Sequence, residues 1–137
     1  MHSTEIGDLP QVKTAAKLFS TMIYNNKNHL MASILVAGWD PIKEGSVHVI
    51  GIDGSLVELP FGVGGSGSSY IYGFTDANYK EDMTEDECKK FVTSAIALAM
   101  ARDGSSGGLV RLAIIKKDEV VKETVFGKDI PTFFENL

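Results

Sequence analysis

A hairpin is encoded by residues 46–61, which read SVHVIGIDGSLVELPF. Two runs with strand-like composition, residues 46–52 and 56–61, flank the dipeptide Asp53-Gly54. This dipeptide supplies the positive φ angles that a tight hairpin turn requires, and strands joined by such a turn are antiparallel. The stretch therefore predicts an antiparallel sheet.

A further strand is predicted immediately upstream. Residues 30–37 form a continuous apolar run of strand length, which predicts burial on both faces, and residues 38–41 (GWDP) end it. A helix precedes this strand: Pro10 suits its first turn, and an asparagine-rich segment at residues 25–28 ends it. The apolar positions of the helix recur at helical spacing. They are Val12, Ala15, Ala16, Phe19, Met22 and Ile23.

The most clearly marked helix begins after Thr84. Thr84 and Glu87 have the spacing of a capping box, and a wide apolar stripe predicts that the helix is buried against a sheet. The helix face that carries this stripe is traced by Cys88, Phe91, Val92, Ala95, Leu98, Ala99 and Arg102. A glycine- and serine-rich stretch at residues 62–69 and a short helix near residues 70–73 precede it.

The remaining strands lie near the end of the sequence. Residues 109–115 and 120–125 are predicted to form a hairpin around residues 116–119. The order of elements is helix, three strands, two helices and two strands, which predicts the α+β class with helices layered on antiparallel sheet. The length of 137 residues, with 44% hydrophobic and 23% charged residues, fits one domain spanning the whole chain, residues 1–137.

Charge and composition exclude several classes of partner. The formal net charge is −5 and the lysines are scattered, so nucleic acid is not an expected partner. The longest apolar stretches fall short of the ~20 residues that a membrane span needs, and the first residues predict no signal peptide. Cys88 is the only cysteine, which rules out an intrachain disulfide and favours a reducing compartment. We expect a soluble cytoplasmic and nuclear protein without a membrane partner.

No metal or cofactor site is predicted. His2, His29 and His48 lie in separate elements without metal-ligand spacing and are expected at the surface or in turns. Residues 62–67 match the letters of the dinucleotide-binding motif G-x-G-x-x-G. That motif acts inside a parallel βαβ unit, whereas here hairpin strands precede it and helices follow it. A tight turn with close backbone approach is the favoured interpretation, and nucleotide binding is the less favoured alternative.

Asp103 and Ser106 follow the predicted helix and have two interpretations. In one, they belong to a glycine-rich helix stop whose polar side chains satisfy the last carbonyl groups. In the other, the carboxylate and the hydroxyl orient a proton-carrying group. Their local spacing favours the helix stop, because Asp, Ser and Gly are the usual turn residues.

Three stretches of the chain together resemble one protein family. They are residues 35–40 (LVAGWD), 64–73 (GGSGSSYIYG) and 102–108 (RDGSSGG). In this order and spacing they resemble beta-type subunits of the eukaryotic 20S proteasome, in particular the caspase-like subunit or its interferon-inducible counterpart. The resemblance covers nearly the whole chain. It implies the N-terminal-nucleophile hydrolase fold, a four-layer αββα sandwich of two antiparallel sheets between helical layers.

The resemblance also implies an activity and a set of site residues. In the family, the hydroxyl of an N-terminal threonine attacks the peptide carbonyl, and the α-amine of that threonine serves as the base. A serine of the Gly-Ser-Gly loop, with the aspartate and a serine of Asp-Gly-Ser-Ser-Gly, holds the amine and a water molecule. These three match Ser66, Asp103 and Ser106. The implied partners are other alpha- and beta-type subunits, and the implied substrates are polypeptides in ATP- and ubiquitin-dependent degradation.

The opening strands of the family's sandwich have no match in this sequence. In the family they carry the threonine, an early aspartate and a lysine, and no threonine here, Thr4 included, has the required neighbours. We therefore expect an N-terminally truncated beta-subunit domain with an incomplete sandwich, whose three supporting residues lack the nucleophile and which is inactive alone. Two functions stay open: a truncated threonine-type endopeptidase subunit, or a non-catalytic structural or assembly component of the ring.

Overall fold

The computed structural model describes residues 10–132. Their contacts divide the chain into two compact units. The first unit contains the described residues up to Gly64 together with Ile115–Val120, and the second contains Gly65–Ile114 together with the residues from Val121 onward. The single domain expected for the whole chain stays a prediction.

The described part of the first unit packs a helix on a three-stranded sheet. Helix α1 spans Val12–Asn25, and the strands are β1 (Ile34–Asp40), β2 (Glu44–Ile50) and β3 (Leu56–Leu59). The strands pair in the order β1-β2-β3 and are antiparallel, as the hairpin motif predicts. The helix contacts all three strands. Its buried residues are Val12, Ala16 and Ile23.

The first strand lies further along the chain than its apolar run predicts. It begins at Ile34, later than expected, and it continues to Asp40 instead of ending at residue 37. Gly38 allows the strand to pass close beneath the helix, because a Cβ atom at this position would lie 2.8 Å from Cγ2 of Val12. The predicted position of the strand end is therefore wrong, since backbone pairing continues where the apolar run stops.

The carboxylate of Asp40 joins the sheet to the helix. Its Oδ1 accepts the backbone N–H groups of Ile42 and Lys43, both at 2.9 Å, which closes the turn into β2. Its Oδ2 accepts the N–H of Val12 at 3.1 Å, which satisfies a donor of the first turn of α1. The side chain is buried, and sequence reasoning did not identify this role.

The two faces of the sheet differ, so the burial predicted for both faces of the first strand is wrong. The face toward α1 carries the fully buried Ile50, whereas on the opposite face Leu35 is 43% and Val57 is 49% exposed. The register aligns a patch of apolar residues on this second face: Leu35, Ala37, Val47, Val49, Val57 and Leu59. A helix covers one face, and burial along β1 therefore alternates as in a one-sided antiparallel sheet.

The turn between β2 and β3 is longer than the predicted two-residue turn. It comprises residues 51–55, and Gly54 has a φ of 87° whereas Asp53 does not have a positive φ. The carboxylate of Asp53 accepts the N–H of Ser55 at 3.0 Å and so stabilises the turn from within. Glycine is required at position 54 because a Cβ atom there would lie 2.9 Å from the backbone nitrogen of Tyr24.

His48 is buried in β2 and is 3% exposed, so its predicted surface position is wrong. It pairs with Val36 on the face that α1 covers, which explains its burial. Among the described residues, its Nδ1 and the hydroxyl of Ser46 have no hydrogen-bond partner. His29 is exposed in the turn after α1, as predicted, and His2 lies outside the described residues.

The described part of the second unit contains helices and all but one residue of each strand of a strand pair. A 3₁₀ turn at Ser68–Tyr70 leads into α2 (Tyr72–Asn78), and α3 spans Glu85–Arg102. Strand β4 (Val110–Ile115) pairs with β5 (Val120–Val125) as predicted, and a second 3₁₀ turn follows. The predicted α+β class is confirmed. No helix within the described range is long and apolar enough to cross a membrane.

Helix α3 starts with the capping box that the sequence predicts. The N–H of Glu87 donates to Oγ1 of Thr84 at 3.2 Å, and the N–H of Thr84 donates to Oε1 of Glu87 at 3.3 Å. The predicted apolar stripe is only partly correct, because Cys88 is exposed. The buried residues of the helix are Ala95, Ala97 and Ala99. Ala95 and Ala99, four positions apart, lie on one face of the helix, and Ala97 lies on the opposite side.

Candidate functional site

The three site residues predicted from the resemblance lie together in the second unit. Asp103 follows the last residue of α3, and its backbone N–H donates to the carbonyl of Ala99 at 2.7 Å, which ends the helix. Ser106 belongs to the same turn because its N–H donates to the carbonyl of Asp103 at 3.1 Å. Ser66 comes from the glycine-rich loop, 37 positions earlier in the chain.

One carboxylate oxygen joins the three side chains. The hydroxyl of Ser106 donates to Oδ2 of Asp103 at 2.6 Å, and the hydroxyl of Ser66 donates to the same oxygen at 2.7 Å. The other oxygen, Oδ1, accepts the N–H of Ser105 at 3.2 Å. Asp103 is 9% exposed, Ser106 is half-buried and Ser66 is exposed. The nearly buried carboxylate of Asp103 therefore lies behind the hydroxyl of Ser66, which is exposed to solvent.

Gly67 keeps space free beside this cluster. A Cβ atom at Gly67 would lie 3.0 Å from Cβ of Ala99, 3.1 Å from Oγ of Ser106 and 3.4 Å from Oδ2 of Asp103. A side chain at this position would press against both hydrogen-bonding groups. Sequence reasoning did not identify Gly67 as a site residue, although its place in the Gly-Ser-Gly loop was an available signal. Gly65, on the other side of the loop serine, has a φ of 94°, which favours glycine.

The hydrogen bonds keep Asp103 ionised. The hydroxyl of Ser106, the hydroxyl of Ser66 and the backbone N–H of Ser105 lower the pKa of Asp103, and burial opposes them only in part. The carboxylate is therefore an anion at neutral pH. An anion flanked by hydroxyl groups is suited to bind a cationic group, such as a protonated amine, or to orient a water molecule.

The cluster does not by itself contain an activated nucleophile. Among the described residues, Ser66 and Ser106 donate their hydroxyl hydrogens to Asp103, and neither hydrogen-bonds to a histidine or a lysine. A serine nucleophile needs an adjacent general base, and a carboxylate whose pKa is lowered is a poor base for a hydroxyl. The geometry therefore fits residues that position another group.

Both interpretations of Asp103 and Ser106 have support in the geometry. The bonds within the turn, including the N–H of Ser105, are those of a glycine-rich helix stop. The bond from the distant Ser66 is not needed to end a helix, and it is the feature that favours a functional site. The catalytic role of the three residues stays a prediction, and Thr4 lies outside the described residues.

The other sequence candidates concern metals and nucleotides. Between residues 10 and 132, no group of three or more His, Cys, Asp or Glu side chains could bind a metal ion. The G-x-G-x-x-G letters at residues 62–67 follow β3 of the antiparallel sheet and lead into the 3₁₀ turn at Ser68–Tyr70. This is not the strand-to-helix step of a parallel βαβ unit that the motif requires.

Comparison with known proteins decides the family. The family described as "Proteasome subunit" matches residues 1–115 of the 137-residue chain. The chain belongs to the proteasome subunit family. Over 135 residues it is 54% identical to "Proteasome subunit beta type-6" of Dictyostelium discoideum and 47% identical to "Proteasome subunit beta type-9" of Oryzias latipes. Over 118 residues it is 51% identical to "Probable proteasome subunit beta type-1" of Schizosaccharomyces pombe.

These proteasome subunits are longer than the chain. The match to the Dictyostelium discoideum subunit covers 98% of this chain and 63% of that subunit. The match to the Oryzias latipes subunit covers 98% of this chain and 62% of that subunit. For Schizosaccharomyces pombe they cover 86% of the chain and 52% of the relative. The chain thus spans less than two thirds of the curated relatives that it matches. The predicted resemblance to a beta-type proteasome subunit is confirmed, and the observed helices and sheets agree with an incomplete N-terminal-nucleophile hydrolase sandwich.

Proposed function

We propose that the chain is part of a threonine-type endopeptidase subunit of the 20S proteasome core, in which it positions the nucleophile. The observation that carries the proposal is the convergence of two serine hydroxyls on one oxygen of Asp103, from Ser66 at 2.7 Å and from Ser106 at 2.6 Å. Membership of the proteasome subunit family supports the same assignment.

In this proposal, the nucleophile is the N-terminal threonine of the complete subunit. Its hydroxyl attacks the carbonyl carbon of the peptide bond, and its α-amine takes the proton. Asp103 stabilises the resulting ammonium group by its charge, and Ser66 and Ser106 fix the orientation of the carboxylate. Each serine also keeps lone pairs with which it can accept a hydrogen bond from the amine or from water.

The setting of this activity is also part of the proposal. The partners are other alpha- and beta-type proteasome subunits, and the substrates are polypeptides in ATP- and ubiquitin-dependent degradation. The location is the cytoplasm and the nucleus. The proposed chemistry uses a hydroxyl, an amine and a carboxylate, and we expect no cofactor.

The test compares the polypeptide of residues 1–137 with the complete subunit in its assembled particle. Fluorogenic peptides, including peptides with an acidic residue before the cleaved bond, report the hydrolysis rate. We expect no turnover by the polypeptide of residues 1–137 alone, because its first residue is a methionine, and only a first residue carries a free α-amine beside its own side chain. We expect turnover by the assembled subunit that a threonine-directed covalent inhibitor abolishes.

Two serine variants make this test specific. Turnover by residues 1–137 that Ser66→Ala abolishes would assign the nucleophile to Ser66 and overturn the proposal. Ser69→Ala is the matched control, because Ser69 lies three positions further along, in the 3₁₀ turn that follows the loop, and makes no hydrogen bond to Asp103 among the described residues. The proposal would also fail if the assembled subunit hydrolysed peptides at an unchanged rate after its threonine had reacted with the inhibitor.

A further inference from the structure

A cavity of about 340 Å³ lies between α2 and α3 in the second unit. Its lining residues come from both helices and from the connection between them, residues 79–84. The three residues proposed to position the nucleophile do not line it. The volume is at the low end of the range for ligand pockets, ~300–1,000 Å³, and it suits one or two amino-acid residues.

Aromatic rings form the apolar part of this cavity. Phe74 of α2 and Phe91 of α3 both line it, and their rings are nearly parallel, with centroids 6.3 Å apart and planes 12° apart. Tyr79 packs against the same Phe91 ring at 6.2 Å between centroids. The mutual packing of the rings fixes this apolar surface, which is suited to receive an apolar side chain.

The cavity also carries an excess of positive charge. Lys80 and Lys90 line it, and within residues 10–132 neither lysine takes part in an ion pair. Glu87 is the acidic residue of the lining, and its Oε1 already accepts the N–H of Thr84 in the capping box. In a chain with a formal net charge of −5, two unpaired ammonium groups at one cavity favour an anionic ligand.

A polar acceptor completes the lining. The side-chain amide of Asn78 donates to the carbonyl of Phe74 at 2.8 Å, which leaves Oδ1 of Asn78 as an acceptor for an N–H group. The cavity therefore offers an apolar surface, a cationic site and an N–H acceptor. The last residue of a polypeptide matches all three, because its side chain, carboxylate and amide N–H are attached to a single carbon.

We propose that this cavity binds the C-terminus of a partner polypeptide whose last residue is apolar. The last side chain packs against Phe74 and Phe91, the carboxylate binds Lys80 and Lys90, and the last amide N–H donates to Asn78. This inference goes beyond the proposed peptidase activity and uses none of its residues. An internal aspartate or glutamate also supplies a carboxylate, but it does not place an apolar side chain on the same carbon.

The probe is acetyl-glycyl-photoleucine, a short peptide with an apolar, photoreactive last side chain and a free carboxylate. The full chain is irradiated with this probe, and mass spectrometry locates the adducts. We expect adducts between residues 74 and 94, and we expect the C-terminal amide of the probe to reduce their yield about 10-fold, since the charged contact is lost. Equal labelling by acid and amide, or adducts spread over the chain, would overturn the proposal.

Lysine variants test the cationic part of the site. The double substitution Lys80→Met with Lys90→Met should reduce the yield about 10-fold, whereas Lys80→Arg with Lys90→Arg should retain it. Lys117→Met, at a lysine outside the cavity, is the matched control and should leave the yield unchanged. Far-UV circular dichroism checks the fold of each variant. If the methionine pair does not fold, the arginine pair and the amide probe decide the result.

A second probe separates a chain terminus from an internal acidic segment. Acetyl-aspartyl-photoleucine amide carries its carboxylate on a side chain and has no free C-terminus. We expect it to label the cavity no better than the neutral amide. Labelling as strong as that by the free acid would show that the occupant is an internal acidic segment and would overturn the assignment of a C-terminus.

Discussion

Asp40 in the first unit and Asp103 in the second are both nearly buried carboxylates at helix ends, but different groups hold them. Asp40 accepts three backbone N–H groups, from Val12, Ile42 and Lys43. Asp103 accepts one backbone N–H and two serine hydroxyls. Hydrogen bonds lower the pKa of both, chiefly the backbone N–H of Lys43 for Asp40 and a serine hydroxyl for Asp103.

The difference separates a structural carboxylate from a candidate functional one. Backbone N–H groups are held by the fold itself, so the bonds of Asp40 cannot change unless the turn or the start of α1 moves. A serine hydroxyl rotates about its bond and both donates and accepts, so the partners of Asp103 can reorient toward a bound group. The exposure of Ser66 adds a route from solvent that Asp40 lacks.

The largest effect is expected for Asp103→Asn in the complete assembled subunit. Peptide hydrolysis should fall by about 10²-fold, because the amide keeps the shape of the side chain but loses the charge that is proposed to stabilise the ammonium group of the N-terminal threonine. The thermal unfolding temperature should change little. Hydrolysis rate per assembled subunit, together with thermal unfolding, measures both quantities. Failure to assemble, with the rate per assembled subunit unchanged, would support the helix-stop interpretation instead.

The matched substitution Asp40→Asn should have the opposite profile. The substitution replaces one carboxylate oxygen, which accepts hydrogen bonds, with an NH₂ group, which donates them. A backbone N–H, either at Val12 or in the turn to β2, then faces a second donor and loses its acceptor. We expect the unfolding temperature to fall by roughly 5–10 °C, with no specific loss of hydrolysis per folded subunit. A larger fall in the unfolding temperature for Asp103→Asn than for Asp40→Asn would contradict the distinction between the two carboxylates.

The smallest effect is expected in the dependence of stability on pH. The pKa of Asp40 and that of Asp103 are lowered in the folded protein, so the contribution of these carboxylates to folding stability is fully present above the ordinary aspartate pKa near 3.8. It is lost as the pH falls below this value toward the pKa of the folded state. Unfolding temperatures between pH 6 and pH 2 should therefore fall less steeply for Asp40→Asn than for the unchanged chain. Parallel curves would show that Asp40 contributes no such pH dependence.

Features that rest on neighbouring residues were predictable from the sequence. The capping box of Thr84 and Glu87 joins residues three positions apart, and it forms as predicted. The antiparallel order of β1, β2 and β3 follows from short connections, and it is confirmed. The strand end near Asp40 was predicted incorrectly, because the apolar run reports side-chain burial whereas pairing depends on the backbone.

Burial was less predictable, because it depends on what covers each residue. Cys88 is exposed although it lies on the apolar stripe, and His48 is buried although it is polar. Of the buried alanines of α3, Ala95 and Ala99 lie on the predicted stripe, whereas Ala97 lies outside it. Leu35 belongs to an apolar run but is half-exposed, because it lies on the face of its sheet opposite α1.

The sequence by itself determined the α+β class, the order of the elements and the motifs that identify the proteasome subunit family. Only the tertiary structure decided that Ser66 reaches Asp103 across 37 positions and that Asp40 reaches Val12 across 28. The physical reason is that caps and turns form between residues that the chain already holds close together. A hydrogen bond between distant segments forms only where packing brings a donor within about 3 Å of its acceptor. The spacing of neighbouring residues in the sequence does not predict which distant segments come together in this way.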